Sequence, residues 1–326
     1  MMTRRAALLG LTSLGVGCAM RVGAPVPSRP ERVTRSGPGV WRYESTPWSF
    51  STASYWIEGP EGVVVIDTQF LASEAEAVLD AVAQTSGKPV CAALVLHPNP
   101  DRFNGTATFQ RRGIDVLSSD AVLAEIPGVH AQRLAAFGDR YAPDFPVRTP
   151  APTSLGAATT VLQPGGLALT AHVLGAGCGA HHVVVQWNDH VFVGDLVAHH
   201  AHAWMELGLL DAWRARLTEI AALQPARVHP GRGPSAGPQL LDAQRAYLDD
   251  VERRVADAVA ALPAGADPKP ARAAVVDAIV EAYPQHRFAA FVSVAMPALW
   301  ARAMRERARW TARTSPVRAA CGRGSC

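Results

Sequence analysis

The chain has 326 residues, 48% hydrophobic and 18% charged, enough for one large buried core with a smaller appended unit. Its formal charge of +3, which falls by two if Arg4 and Arg5 leave with a leader, is too small for nucleic-acid binding to be the main task. No run of about 20 apolar residues follows the N-terminal segment, so the body is predicted not to span a bilayer.

Residues 1–38 read as an export signal and linker. Arg4 and Arg5 precede a short apolar stretch through Val16 and resemble a twin-arginine leader. Leu14-Gly15-Val16-Gly17-Cys18 resembles a lipobox, with Gly15 where a branched aliphatic residue is usual, and would make Cys18 a lipid anchor. An exported protein, periplasmic or membrane-anchored, is expected; the alternative is an uncleaved tether.

From about Val40, short strands alternate with helices. Tyr55–Ile57 and Gly62–Asp67 read as strands joined by a turn at Gly59-Pro60-Glu61-Gly62. Ser73-Glu74-Ala75-Glu76 has the pattern of a capping box, and Leu71, Ala75, Val78, Leu79 and Val82 recur at helical spacing behind it. The unbroken apolar run Val90–Leu96 predicts a strand covered on both faces. A helix and a strand at Ile114–Leu117 follow, then a helical and loop-rich stretch over 119–156. Residues 158–195 predict four strands, the last ending Phe192-Val193-Gly194-Asp195 in an echo of Val64-Val65-Ile66-Asp67, which suggests two similar sheet halves packed face to face. Leu241, Leu248, Val251, Val255, Val259 and Leu262 mark a long helix, and 270–310 give two more, with Pro297 in the second. Domains are therefore expected at 39–240 and 241–312, with a disordered basic tail at 313–326 holding Cys321 and Cys326. Cys91 reads as a small core residue.

The loop His97-Pro98-Asn99-Pro100-Asp101-Arg102 leaves the end of the buried strand. Pro98 and Pro100 favour extended geometry before them, so His97, Asn99 and Asp101 are expected to project to one side at period two. Imidazole, amide and carboxylate together suit half a metal site, and a polar loop cap is the plainer alternative.

These elements resemble the metallo-beta-lactamase superfamily over roughly residues 40–240. Its signature is His-x-His-x-Asp-His; Gly175-Ala176-Gly177-Cys178-Gly179 stands where Gly-x-Gly-His-Thr is usual, Gly194-Asp195 matches its Gly-Asp, and His229-Pro230-Gly231-Arg232 lies where Pro-Gly-His is expected. The resemblance implies a four-layer αββα sandwich of α/β class, with a C-terminal helical extension here. It also exposes departures: Asn99, Arg102, Cys178 and Arg232 replace histidines, while His97, Asp101 and Asp195 keep the family identities.

Guanidinium has five donors, no acceptor and a permanent charge, so Arg102 and Arg232 cannot ligate a cation. Counting Asp101, Asp195 and a Cys178 thiolate against the two arginines gives −1, and one divalent ion makes that +1. A second would make it +3, costly to hold partly desolvated, so one zinc ion or none is expected. His97, Cys178, Asn99, Asp101 and Asp195 are the candidate ligands. Arg102 and Arg232 are expected to take the second ion's place, pair with Asp101 and Asp195, and clamp a small anionic substrate, with His182 and His229 beside it. His199, His200 and His202 read as a loop rim, and Trp204 and Trp213 as packing or pocket walls.

The function expected first is a single-metal hydrolase of a small anionic ester, lactone or amide, with Asp101 and Asp195 as catalytic acids and Asp101 orienting the attacking hydroxide. A ligand-binding or accessory protein that kept only the fold, or thiol chemistry at Cys178, are the alternatives.

Overall fold

The computed structural model describes residues 32–314. The leader, Cys18 and nearly all of the basic tail, with Cys321 and Cys326, lie outside them. No described helix is long and apolar enough to cross a membrane.

The first sheet opens with the antiparallel strands β1 (Val33–Gly37), β2 (Val40–Glu44), β3 (Ala53–Glu58) and β4 (Val63–Ile66). Helix α1 (Ala72–Thr85) then crosses over to β5 (Val90–Leu94), parallel to β4. The short helices α2 (Pro100–Phe103) and α3 (Thr106–Arg111) lead to β6 (Asp115–Ser118), and α4 (Asp120–Tyr141) to β7 (Thr153–Ser154), which completes a seven-stranded sheet in chain order. The second sheet, in the order β12-β11-β10-β9-β8, contains β8 (Thr160–Leu162), β9 (Leu169–Leu174), β10 (His182–Trp187) and β11 (His190–Ala198); after α5 (Leu210–Ala222), β12 (Arg227–Arg232) joins it parallel to β11. Helices α6 (Gln239–Ala261), α7 (Lys269–Ala282) and α8 (Ala290–Thr314) close the chain.

The sheets face each other across one apolar cluster, where Trp56, Val65 and Leu94 of the first meet Val183, Val185 and Phe192 of the second. The other face of the second sheet is buried against α5 and the three C-terminal helices, with Val184, Val191 and Val193 packed on Trp213, Leu248, Val251 and Leu299. Helices thus cover both outer faces, the expected αββα sandwich with a helical extension.

Three local readings change. The first sheet begins at Val33, inside the stretch read as linker, because Val33 to Arg35 pair with Tyr43 to Trp41. The capping box at Ser73 does not form: Leu71 is the N-cap, Ser73 donates its hydroxyl to Asp144, and Glu76 pairs with Arg112 at 2.7 Å. The stretch around His229, which carries no strand pattern in the sequence, is strand β12, where Pro230 is tolerated because β12 is the edge of the second sheet.

Candidate metal centre

One hydrogen bond between the sheets positions the centre. The amide of Val183, at the start of β10, donates to the carbonyl of Leu96 at 2.6 Å, beyond the end of β5. The next residue along one chain is His97 and the preceding one on the other is His182, so the two rings meet with centroids 5.4 Å apart. The glycine-bounded turn before β10 brings Cys178 Sγ to 3.1 Å from His182 Nε2. Ligand atoms of His97, Cys178 and His182 all lie within 4.8 Å of one another, and none of the three residues is more than 4% exposed.

The donors fit one thiophilic or borderline ion. The Gly175 carbonyl lies 3.1 Å from His182 Nδ1, which places the proton there and leaves Nε2 as the acceptor, facing the sulfur and the Gly179 amide at 3.3 Å. His97 Nε2 and Asp195 Oδ2 are buried without hydrogen-bond partners, although only 3.3 Å apart. Unpartnered buried atoms of this kind call for a ligand, and two imidazoles with a thiolate and an adjacent carboxylate form a competent zinc set. Burial, with the charge on His97 adding to it, pushes the His182 ring down to about 3, so it is a neutral donor. Burial, reinforced by Asp195, pushes the Cys178 thiol well above its ordinary value. That favours the protonated thiol unless a cation is present, and does not favour free thiol chemistry at this residue.

Beside this trio the guanidinium groups of Arg102 and Arg232 are buried among carboxylates. Arg102 is fully buried; its Nη1 lies 3.1 Å from both Asp67 Oδ2 and the Ala53 carbonyl, and its Nη2 donates to Asp195 Oδ1 and, at 3.2 Å, to the Gly231 carbonyl. Arg232 donates from Nη1 to Asp195 Oδ1 at 2.5 Å, from Nη2 to Asp101 Oδ2 at 2.6 Å, and from Nε to the Phe50 carbonyl at 3.1 Å. Burial would push the Asp195 carboxyl up, but Arg102 and Arg232 override it and hold the group well below the usual carboxylate range. At Asp67 burial outweighs the opposing contact with Arg102, and the carboxyl is pushed up to about 6. Gly231 is required where these groups meet: a Cβ there would stand 2.4 Å from Asp195 Oδ1 and 2.5 Å from Arg102 Nη2.

The expected site residues separate into groups. His97 and Cys178 meet as expected, with Asp195 against His97. His182, expected beside a substrate, is instead placed among the ligand atoms. Asp101 lies outside the trio, its Oδ2 held by Thr52 at 3.1 Å, Arg232 at 2.6 Å and Arg102 at 3.3 Å. The loop is not extended through residue 101, because the Asn99 amide turns back to the His97 carbonyl and Asp101 enters α2. Asn99 consequently faces a pocket shared with Asp101 and Arg232, and a ligand role for it has no support in this placement. The substrate role expected of Arg102 has none either, since its four Nη hydrogens are directed at protein acceptors in the interior. His229 is turned away. Three residues before Arg232 on a strand, it has the opposite facing; its ring stacks on Phe192, and its two nitrogens lie 2.9 Å from His190 Nδ1 and 2.8 Å from Ser235 Oγ.

Geometry alone thus defines a two-sheet sandwich with a metal-competent trio at one end of its strands. The family model for the metallo-beta-lactamase superfamily matches residues 48–232, more than half of the chain, and the chain belongs to that superfamily. No curated protein matches it. Among solved structures it is similar to a metallo-beta-lactamase from Pontibacter korlensis (22% identity, TM-score 0.53, covering 67% of this chain and 98% of that one). It is also similar to the metallo-beta-lactamase FIM-1 from Pseudomonas aeruginosa in its mono-zinc form (20%, 0.52, 67% and 95%) and to the DIM-1 metallo-beta-lactamase (15%, 0.52, 67% and 97%). At these identities the likeness establishes the fold.

Proposed function

We propose that the protein is an exported single-metal hydrolase of this superfamily, acting on a small anionic ester, lactone or amide, with one zinc ion held by His97, Cys178 and His182. The observation that carries this reading is the convergence of those three donors within 4.8 Å. Bound zinc would supply a Lewis acid and lower the pKa of a water toward about 7. Of the two acids, Asp195 is the better placed: its Oδ2 is next to His97 Nε2, and the arginines keep it ionised and able to accept a hydrogen bond there. Asp101 serves to position Arg232. Arg232 spends three of its five N–H groups on Phe50, Asp195 and Asp101, which leaves two for an anionic substrate group.

A second reading, a ligand-binding protein without turnover, is favoured by one observation: the pocket beside Asp101 and Arg232 is lined by none of the trio. The two separate in one experiment on the zinc-reconstituted protein, a panel of anionic esters, lactones and amides assayed with and without Cys178→Ala. Turnover that disappears with the thiol supports the hydrolase. Tight zinc binding with no turnover of any member favours the second reading. Export, to the periplasm or to a lipid anchor at Cys18, belongs to the same proposal and is supported by Arg4, Arg5 and the apolar run that follows them.

A further inference from the structure

One wall of the pocket over Arg232 is a residue that the family match does not include. Its apolar walls are Phe50, Phe70, Phe137, Trp204 and Phe291. The first four lie within or near the sandwich, whereas Phe291 is on α8, well beyond residue 232 where the family model ends. Its ring lies over the Arg232 guanidinium, with Cζ 5.2 Å from the centroid, and packs on Trp204 at 4.9 Å and Phe50 at 6.0 Å.

The position of Phe291 is fixed from both sides. Just before α8, Arg287 donates from Nη1 to Ser51 Oγ at 3.0 Å and pairs with Glu44 at 2.9 Å. Its amide donates to the His200 carbonyl at 3.0 Å, and its own carbonyl accepts from the His202 amide at 2.9 Å. Phe288, in the left-handed region at φ 65°, turns the chain into the helix, and the Phe291 amide donates back to its carbonyl at 2.9 Å. The helical extension is thus fastened to the sandwich at the rim of the pocket.

The space left is small. The cavity is open on one side and measures about 30 Å³, far less than the roughly 150 Å³ known to hold benzene. The Phe291 ring covers the Arg232 guanidinium and fills that side of the pocket. We infer that Phe291 is a specificity-determining residue: the C-terminal helical unit uses it to restrict the Arg232 site to small anions with short aliphatic groups, and its removal opens the site to aryl carboxylates. This rests on the proposed role of Arg232 as the anion site, and deepens it by naming the size and class of group admitted.

The test is binding of propionate and of benzoate to the full chain, followed by calorimetry without added metal, in the unmodified protein, Phe291→Ala and Phe291→Leu. The unmodified protein is expected to bind propionate and to reject benzoate by at least tenfold. Phe291→Ala should reverse that preference by tenfold or more. Phe291→Leu, which keeps more bulk and guards against failure of the alanine variant to fold, should give an intermediate gain. Equal binding of both acids by the unmodified protein, binding of neither, or an unchanged preference in the folded variants would overturn the inference. Because no turnover is measured, a failed hydrolase assay leaves it standing, and an unchanged binding preference in the folded variants sinks it alone.

Discussion

Arg102 Nη1 lies 3.1 Å from Asp67 Oδ2, so this buried guanidinium has a carboxylate from the first sheet as well as Asp195 from the second. The two aspartates end strands of matching pattern, β4 and near the end of β11, and Arg102 joins them across the interior. Asp67 also accepts the Leu96 amide at 2.9 Å, immediately before His97, so the same contact steadies the first ligand.

Replacing Arg102 by Met should therefore cost more than a surface arginine. Three buried carboxylates, Asp67, Asp101 and Asp195, lose a shared partner, and removal of one member of a buried ion cluster typically costs about 3–5 kcal/mol. Denaturant unfolding should show a loss of that order. A loss under about 1 kcal/mol would mean that the lattice is not holding the sheets together.

Gly231→Ala should disturb the same lattice with the smallest possible change in chemistry. The added methyl would overlap Asp195 Oδ1 and Arg102 Nη2, so either the ion pair or the strand must move. The variant is expected to be less stable by about 1–3 kcal/mol and to bind zinc more weakly; unaltered stability together with unaltered zinc affinity would contradict the packing described.

Cys178 should be slow to react with an alkylating reagent in the folded, metal-free protein, because it is 4% exposed and burial favours its protonated thiol. Of the two cysteines among the described residues, labelling counted by mass spectrometry should reach the partly exposed Cys91 before Cys178, which should react only on unfolding. Rapid native labelling of Cys178 would favour thiol chemistry over metal ligation.

Acid should weaken the union of the sandwich with the helical extension. His202 lies among Tyr247, Tyr283 and His286, and burial, with His286 adding to it, pushes its ring down to about 4. A histidine whose folded value is depressed contributes in full above its ordinary value near 6.5 and loses that contribution as pH falls toward 4. Stability measured over that range should decline, and His202→Phe should make the decline shallower. An identical slope in the variant would remove His202 from the account.

Much of the fold could be read from local pattern. Valine-rich runs mark β4 and β10, and the helical spacing of Leu241 to Val259 marks α6. What local pattern missed depends on contacts between distant segments. Ser73 follows the capping rule, but its hydroxyl is engaged by Asp144, 71 residues away. His182 joins the ligands only because β10 pairs its second residue with Leu96. Asp67 was visible as one of two strand-ending aspartates, yet its service to Arg102 requires both sheets. That Arg102 and Arg232 cannot themselves ligate a cation follows from chemistry alone; the burial of Arg102, and hence its service to the fold, required the packed interior.

The number of zinc ions bound per chain tests the central claim most directly. Elemental analysis of reconstituted protein, after removal of loosely held metal, should give one zinc per chain, falling to near zero in Cys178→Ala. Two tightly bound ions per chain would contradict it, because the second could be accommodated only by displacing Arg102 and Arg232 from Asp195.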